Sequence, residues 1–277
     1  MEHGVDGQGA EGSLRDRIPA QSVVAELLRE QARVPSRGFT ARLLGVNPLG
    51  RDSQAWFKGA EGEIEVARIL AGLGPGYVVC HAVPVGSGDS DIDHVVIGPT
   101  GVFAINTKNH SGQKVWVGGG TFMVNGTRLP HIRNSVFEAK RSEKILTQAM
   151  GHPVAVTAMI AVVNPSKFTV RTRPNGVEVL TSHKLLDRIS SGPRIYDAGQ
   201  MMDIVDRAQD PRLWHPAPTE QDDRGQMMTQ FTVLRQAVRS AQARRRGWAR
   251  AGMALIATIV IAGALAFPHV VGLVLGS

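Results

Sequence analysis

The sequence predicts an α/β fold, in which a β-sheet packs against helices, followed by a long apolar C-terminal helix. Two short β-branched runs, 92–97 and 102–105, predict neighbouring strands. A nearly continuous apolar run, 154–163, is typical of a strand covered on both faces. Apolar residues at helical spacing occur before these runs, at 59–73, and between them, at 134–150. Strands that alternate with helices in this way indicate the α/β class.

The remaining elements follow from local patterns of apolar residues, glycine and proline. Pro19 suits the first turn of a helix whose apolar spacing continues to residue 34, and residues 38–57 are expected to form an irregular connection. In chain order, the other predicted elements are strands at 77–83, 115–117, 122–124 and 177–180, helices at 182–189 and 198–209, and a basic helix at 225–246.

The runs 92–97 and 102–105 form a β-hairpin, because Gly98-Pro99-Thr100-Gly101 between them is typical of a turn. A tight turn places Asp93 opposite Asn106, and the alternation of side chains along a strand gives one face four polar residues. These are Asp91, Asp93, Asn106 and Lys108. Polar groups on one side of an otherwise apolar hairpin require an explanation.

This polar face suits the hydrolysis of phosphodiesters. Carboxylate and amide oxygens are ligands for the hard cations Mg²⁺ and Mn²⁺, which predicts a metal site at Asp93 and Asn106 with Asp91 beside them. Lys108 can hold the attacking water or stabilise the negative charge that develops on phosphorus. The alternative is an ordinary solvated face of a hairpin.

The segment from Lys58 to about Ile189 resembles the nuclease-related domain, NERD, of the PD-(D/E)xK nuclease superfamily. The matching pieces are G-A-E-G-E-I-E-V-A-R-I-L at 59–70, D-I-D-H-V-V-I-G-P-T-G-V-F-A-I at 91–105, T-K-N at 107–109, and a polar helix followed by P-V-A-V-T-A-M-I-A-V-V at 153–163. The resemblance implies a restriction-endonuclease-like mixed β-sheet flanked by helices. It also implies Mg²⁺- or Mn²⁺-dependent cleavage of nucleic acid.

The resemblance also assigns roles to individual residues. It implies that Glu63 is the acidic residue of the first helix, Asp93 the metal-binding aspartate and Lys108 the catalytic lysine. Where the superfamily has Glu or Asp two residues before the lysine, this chain has Asn106. An amide oxygen can bind a metal but brings no charge, so the site is expected to be weakened, and Asp91 or Glu63 is hypothesised to compensate.

The net charge of +7 gives no support to nucleic-acid binding by this segment. The seven arginines after Asp223 account for all of the excess, and the preceding chain has 24 basic and 24 acidic residues. Cys80, the single cysteine, is expected to be buried and inert. His81, His94, His110 and His131 lack the short spacings of a zinc site and are expected at the surface or at strand ends.

The apolar stretch from Ala251 to Leu275 predicts a transmembrane helix, because about 25 residues at ~1.5 Å each exceed a hydrocarbon core of about 30 Å. A buried core helix is the alternative. The arginines just before it predict a single-pass protein of the cell membrane whose N-terminal domain faces the cytoplasm. They can also pair with anionic headgroups, with Trp248 at the interface.

These patterns divide the chain into an N-terminal extension with one amphipathic helix (1–50), a NERD-like nuclease domain (51–190), a helical, Arg-rich juxtamembrane linker (191–248) and the transmembrane helix (249–275). Two functions remain open. The first is a membrane-anchored, metal-dependent nuclease with nucleic acid as its substrate. The second is a catalytically degenerate module that binds nucleic acid or protein at the membrane.

Overall fold

The structure, a computed structural model, describes residues 13–86, 90–216 and 224–275, with side chains up to residue 264. Residues 1–12, part of the predicted N-terminal extension, lie outside the described residues. The chain divides into two compact units, one of residues 1–27 and 55–224 and the other of 28–54 and 225–277. The predicted α/β class is confirmed.

The larger sheet of the first unit has five strands in the order β1-β2-β3-β7-β9. β1, β2 and β3 are antiparallel, whereas β3, β7 and β9 are parallel. The strands are β1 (Val78–Pro84), β2 (Asp91–Gly98), β3 (Gly101–Asn109), β7 (Val156–Val163) and β9 (Glu178–Thr181). The predicted mixed sheet is therefore confirmed. β3 is its central strand, and β7 lies beside it in the interior.

Helices cover both faces of this sheet and create two apolar cores. On one side, α3 (Arg51–Leu70) and α5 (Leu185–Ser190) pack on Phe103 and Ile105. On the other side, α4 (His131–Met150) packs on Val95 and Ala104. The hairpin is thus buried on both faces, which is why its polar residues stand out.

A second sheet of four strands, β6-β5-β4-β8, lies in the same unit. It consists of β4 (Lys114–Gly118), β5 (Thr121–Val124), β6 (Thr127–Leu129) and β8 (Lys167–Thr172). The pair β4 and β5 matches the predicted strands at 115–117 and 122–124. β8 has no counterpart in the sequence prediction, because it is a short strand at the edge of its sheet with all of its residues exposed or half-buried.

Two helical boundaries differ from the prediction. The helix expected at 59–73 begins eight residues earlier, at Arg51, and ends at Leu70. The connection expected to be irregular at 38–57 also contains the short helix α2 (Phe39–Leu43). Gly59 and Gly62 lie inside α3, and glycine is usually read as a helix boundary. At Gly62 a Cβ would lie 2.8 Å from the Asn109 Cβ, so glycine lets α3 approach β3 closely.

The segment after β9 adds further helices to the first unit. α6 (Ala198–Ala208) and α7 (Pro211–Trp214) contribute Ile204, Val205 and Trp214 to the core. The indole of Trp214 donates a hydrogen bond to the Ala208 carbonyl, 2.8 Å away. Residues 198–214, which the sequence assigned to a linker, therefore pack within the unit. Two short 3₁₀ helices, Leu14–Asp16 and Ser182–Lys184, complete it.

The second unit contains α2, the C-terminal part of α1 (Gln21–Ala32), the start of α3, and α8 (Arg224–Leu275). α8 runs without a break from the arginine-rich stretch into the apolar one. Its apolar part is long and hydrophobic enough to cross a membrane, and the described side chains there are exposed rather than buried in protein. This exposure argues against the alternative of a core helix.

Candidate active site

The polar face of the hairpin is assembled as the sequence predicts. His94 pairs with Ile105 in the β2–β3 register, so the next residues along, Asp93 and Asn106, lie opposite each other. The Asp93 side chain is 9% exposed, and its Oδ2 accepts a hydrogen bond from the backbone N–H of Thr107. Central-strand geometry therefore fixes the predicted metal-binding aspartate against the strand that carries Lys108.

Glu63 joins these residues from helix α3. Its side chain is 4% exposed, and its Oε2 is buried without a hydrogen-bond partner among the described residues. Burial raises the pKa of Glu63 well above its ordinary value, and the charges of Asp93 and Asp91 raise it further, while Lys108 opposes the shift. A buried carboxyl oxygen without a donor is suited to bind a cation.

Asp93 and Asp91 belong to the same electrostatic cluster. Burial raises the pKa of Asp93 to about 6, with Lys108 opposing the shift and Asp91 adding to it. Burial also raises the pKa of Asp91, against the stabilising effect of a hydrogen bond from Ser22 and the charge of Arg17. One oxygen of Asp91, Oδ2, has no partner among the described groups. Asp91 is therefore near the cluster but has its own partners.

Sequence reasoning missed a further carboxylate in this cluster, Glu138 on α4. The Asn106 Nδ2 donates a hydrogen bond to Glu138 Oε2. Burial raises the pKa of Glu138 to about 7, and the charge of Asp93 adds to the shift. Glu138 follows a stretch of α4 with few charges and precedes Lys140 and Arg141, so the linear pattern does not separate it from a solvated helix face.

Residues 58–163 match the family model of the nuclease-related domain, NERD. This part of the chain is a nuclease-related domain. The resemblance inferred from the sequence is confirmed, and the matched range begins at the predicted Lys58 and ends with β7. A nuclease-related domain implies the PD-(D/E)xK superfamily.

An uncharacterized protein of Bacillus anthracis is 41% identical to the chain over 83 residues. The match covers 28% of this chain and 38% of that relative, so the chain spans well under half of the relative's length. No solved structure matches the chain. The comparisons therefore identify the nuclease-related domain and leave the activity to be argued from its residues.

A basic edge of the nuclease-related domain consists of Lys58, Lys108, His110 and His131, and it is electrostatically coupled to the carboxylate cluster through Lys108. The Lys58 ammonium donates a hydrogen bond to Gln113 Oε1, 3.1 Å away, and the His110 Nδ1 lies 3.1 Å from the same oxygen. The rings of His110 and His131 have centroids 5.6 Å apart, and both pack on Phe122. This edge gathers two lysines and two imidazoles.

His110 directly follows the last residue of β3, at a strand end as expected, and His131 is the first residue of α4. Each is half-buried, and each has an Nε2 without a partner among the described groups. Burial lowers the pKa of His131 to about 3 and lowers that of His110, with Lys108 contributing to both shifts. The β4–β6 sheet lies between them in sequence, so their proximity leaves no linear signal.

His94 lies apart from this edge, on the opposite face from Asp93. It is fully buried rather than at the surface, which corrects the expectation for this residue, and its Nδ1 lies 2.9 Å from the Nδ1 of His81. Burial lowers the pKa of His94 well below its ordinary value and lowers that of His81 to about 4. The hydrogen bond between these two imidazoles joins β1 to β2.

The donor set fits a hard divalent cation. Three buried oxygens without partners among the described residues belong to residues predicted for the site: Glu63 Oε2, Asp91 Oδ2 and Asn106 Oδ1. In the described part of the chain, however, no three His, Cys, Asp or Glu side chains come together as a metal cage. A metal here would therefore require the Asn106 amide oxygen as a ligand in addition to the carboxylates.

Proposed function

We propose that the nuclease-related domain hydrolyses phosphodiester bonds in nucleic acid and requires Mg²⁺ or Mn²⁺. The observation that carries the proposal is the convergence of carboxylates from β2, α3 and α4 beside Lys108, with raised pKa values that reflect burial and mutual repulsion. Such a cluster is unfavourable without a cation and becomes favourable with one. Perturbed carboxyl groups in one place are typical of functional sites.

Asp93 and Asn106 would hold the metal, with a further oxygen from Glu63, Asp91 or Glu138. A bound divalent cation there would polarise the phosphate and lower the pKa of a coordinated water. Glu138 restores the negative charge that Asn106 lacks, because its carboxylate is directly hydrogen-bonded to the Asn106 amide. The compensation inferred from sequence for Asp91 or Glu63 is thus assigned first to Glu138.

Lys108 and the basic edge would bind the substrate. The Lys108 ammonium interacts electrostatically with both the carboxylates and the imidazoles, so it could orient the attacking water and stabilise charge on the phosphate. Lys58 provides a second positive charge for an adjacent phosphate of the backbone. The His110 and His131 rings could each contact the same strand of the nucleic acid, and an approaching phosphate would favour their protonation.

The apolar stretch of α8 would anchor this domain to the cell membrane as a single span. Its length, its exposed apolar side chains and the arginines that precede it support this role. The arginine bias favours a cytoplasmic position for the nuclease-related domain. The enzyme would then act on nucleic acid close to the inner surface of the membrane.

A second function is favoured by Asn106 itself. An amide in place of an acid weakens metal binding. A domain that keeps its basic edge but does not cleave nucleic acid would serve as a module that binds nucleic acid or protein. The same assay separates the two functions, because only a nuclease changes the covalent structure of its ligand.

The test is cleavage of single-stranded DNA, double-stranded DNA and RNA by the full chain in detergent, with Mg²⁺ or Mn²⁺. We expect Asp93→Asn and Lys108→Met each to reduce the rate by at least about a hundredfold. Asp203→Asn on α6 and Lys144→Met on α4 are matched controls, because both side chains are exposed and lie outside the cluster. A folded parent that binds but never cleaves would establish the binding module instead.

Metal affinity tests the ligand set separately from activity. Calorimetric titration with Mn²⁺ should show weaker binding for Glu138→Gln than for the parent. Asp91→Ala is the companion variant, and an unchanged affinity for it would exclude Asp91 as a ligand.

A further inference from the structure

The second unit exposes several large apolar side chains in one segment, residues 36–46. Its exposed side chains are Phe39 at 79%, Leu43 at 49%, Leu44 at 57% and Val46 at 50%. Four exposed large apolar side chains lie within eight residues of the chain, and clusters of exposed apolar side chains are typical of interaction surfaces. The apolar side chains of the short helix α2, Phe39 and Leu43, are therefore available for contact.

The segment is fastened to α8 through its backbone. The Trp248 indole donates a hydrogen bond to the Leu43 carbonyl at 3.0 Å, and an Arg244 N–H donates one to the Arg42 carbonyl at 2.8 Å. Gly45 has a φ of +74°, and a Cβ there would lie 2.5 Å from the Ala241 carbonyl oxygen. Glycine is needed at this contact both for its conformation and for the lack of space.

These contacts place the segment beside the start of the apolar stretch of α8. Ala251 follows Trp248 by three residues, which is about 4.5 Å along a helix axis. If α8 crosses a bilayer, as the proposed function holds, residues 241–248 lie at the level of the headgroups. Amphipathic elements at that level bury their apolar side chains about 5–10 Å into the boundary between headgroups and acyl chains.

The charges around the segment match an anionic surface. The second unit contains eleven arginines and two carboxylates, a net charge of +9. Arg37, Arg42 and Arg244 line a cavity of about 400 Å³ between the segment and α8. Among the described residues none of these three forms a salt bridge, and each uses one N–H on a backbone carbonyl. Guanidinium groups bind phosphate in a forked geometry.

We propose that residues 36–46 form a second membrane contact, which inserts Phe39, Leu43 and Leu44 into the headgroup layer of an anionic bilayer while Arg37, Arg42 and Arg244 bind lipid phosphates. The inference rests on the proposed membrane span of α8. Continuity with that span and the excess of arginine favour a lipid surface over a protein partner. The contact would hold the beginning of α8 at a fixed depth.

The experiment measures the depth of spin labels on the full chain in lipid nanodiscs. Nitroxides are attached to Phe39→Cys and Leu43→Cys, and their accessibility to oxygen and to a water-soluble nickel complex is compared. Val233→Cys is the matched control, since Val233 is 63% exposed on α8 but about 27 Å before Ala251. The unsubstituted chain gives the background from Cys80, which is only 2% exposed.

In nanodiscs of phosphatidylcholine with one quarter phosphatidylglycerol, we expect the labels at positions 39 and 43 to contact oxygen and the label at 233 to contact nickel. Replacing Arg37 and Arg42 by Gln should reduce the inserted fraction, with each arginine contributing about fivefold. Neutral phosphatidylcholine discs should reduce it as well. Equal insertion in both lipids would overturn the assignment of the arginines to an anionic lipid surface.

Ile256→Cys distinguishes the inference from the anchor on which it rests. If the label at position 256 contacts oxygen while labels at 39 and 43 contact nickel as strongly as the Val233 control, α8 spans the bilayer and the second contact is wrong. If the label at 256 also contacts nickel, both the span and the second contact are wrong.

Discussion

Substitution of Glu138 by Gln should change the pH dependence of the stability of the metal-free protein. Glu138 has a pKa of about 7 in the folded chain against an ordinary value of 4.5, because it is buried and lies near Asp93. A carboxyl group with a raised folded-state pKa favours folding when protonated. Its stabilising effect is therefore greatest below pH 4.5 and is lost as the pH rises through 7.

The size of this effect follows from the two pKa values. Between pH 8 and pH 5, protonation of Glu138 should add on the order of 2 kcal/mol to the free energy of unfolding of the parent. A glutamine side chain cannot titrate, so this increment should be missing from Glu138→Gln. The difference between parent and variant reports the Glu138 carboxyl together with its electrostatic coupling to Asp93.

The measurement is urea unfolding of the full chain in detergent with a chelator, followed by tryptophan fluorescence at several pH values. A divalent metal should reduce the pH dependence of the parent's free energy of unfolding. A bound cation stabilises the deprotonated carboxylates, which are otherwise unfavourable at pH 8. If the free energies of unfolding of parent and variant change equally between pH 5 and pH 8 in chelator, Glu138 is not a buried carboxyl with a raised pKa. Its role in the cluster is then refuted.

Three further predictions concern other parts of the chain. Asn106→Asp should tighten Mn²⁺ binding on the order of tenfold, because ligand charge governs affinity for a hard cation; an unchanged dissociation constant by calorimetry would contradict the proposed ligand. Deleting residues 249–277 should move the protein to the soluble fraction, and continued sedimentation with membranes would argue against the anchor. The Cys80 thiol, whose pKa burial raises to about 11, should react with a thiol reagent at pH 8 only on unfolding in urea; fast labelling of the folded chain would contradict its burial.

The hairpin could be predicted because its information is local. A short turn from Gly98 to Gly101 fixes the register, and the alternation of side chains then determines which residues share a face with Asp93. The resemblance to the nuclease-related domain added Glu63, which the sequence alone explains equally well as a helix N-terminal charge. The residues that lie opposite each other in a strand pair can therefore be predicted from sequence where the turn is short.

The rest of the cluster could not be predicted because it depends on docking between elements. Glu138 reaches Asn106 only through the packing of α4 on the sheet, and the rotation of a helix about its axis is set by all of its contacts together. His110 and His131 are separated in sequence by β4, β5 and β6, and these strands were predicted only in part. The early start of α3 was missed because glycine inside a helix is tolerated when it allows close packing, as at Gly62.

The hydrogen bond between Asn106 and Glu138 joins residues that are 32 positions apart. A linear motif that demands an acid two residues before the lysine would reject this chain as inactive. A three-dimensional criterion, which counts carboxylates around the aspartate regardless of the element that carries them, would retain it. Surveys of nuclease-related sequences by motif alone would then discard those chains in which a neighbouring helix supplies the missing charge.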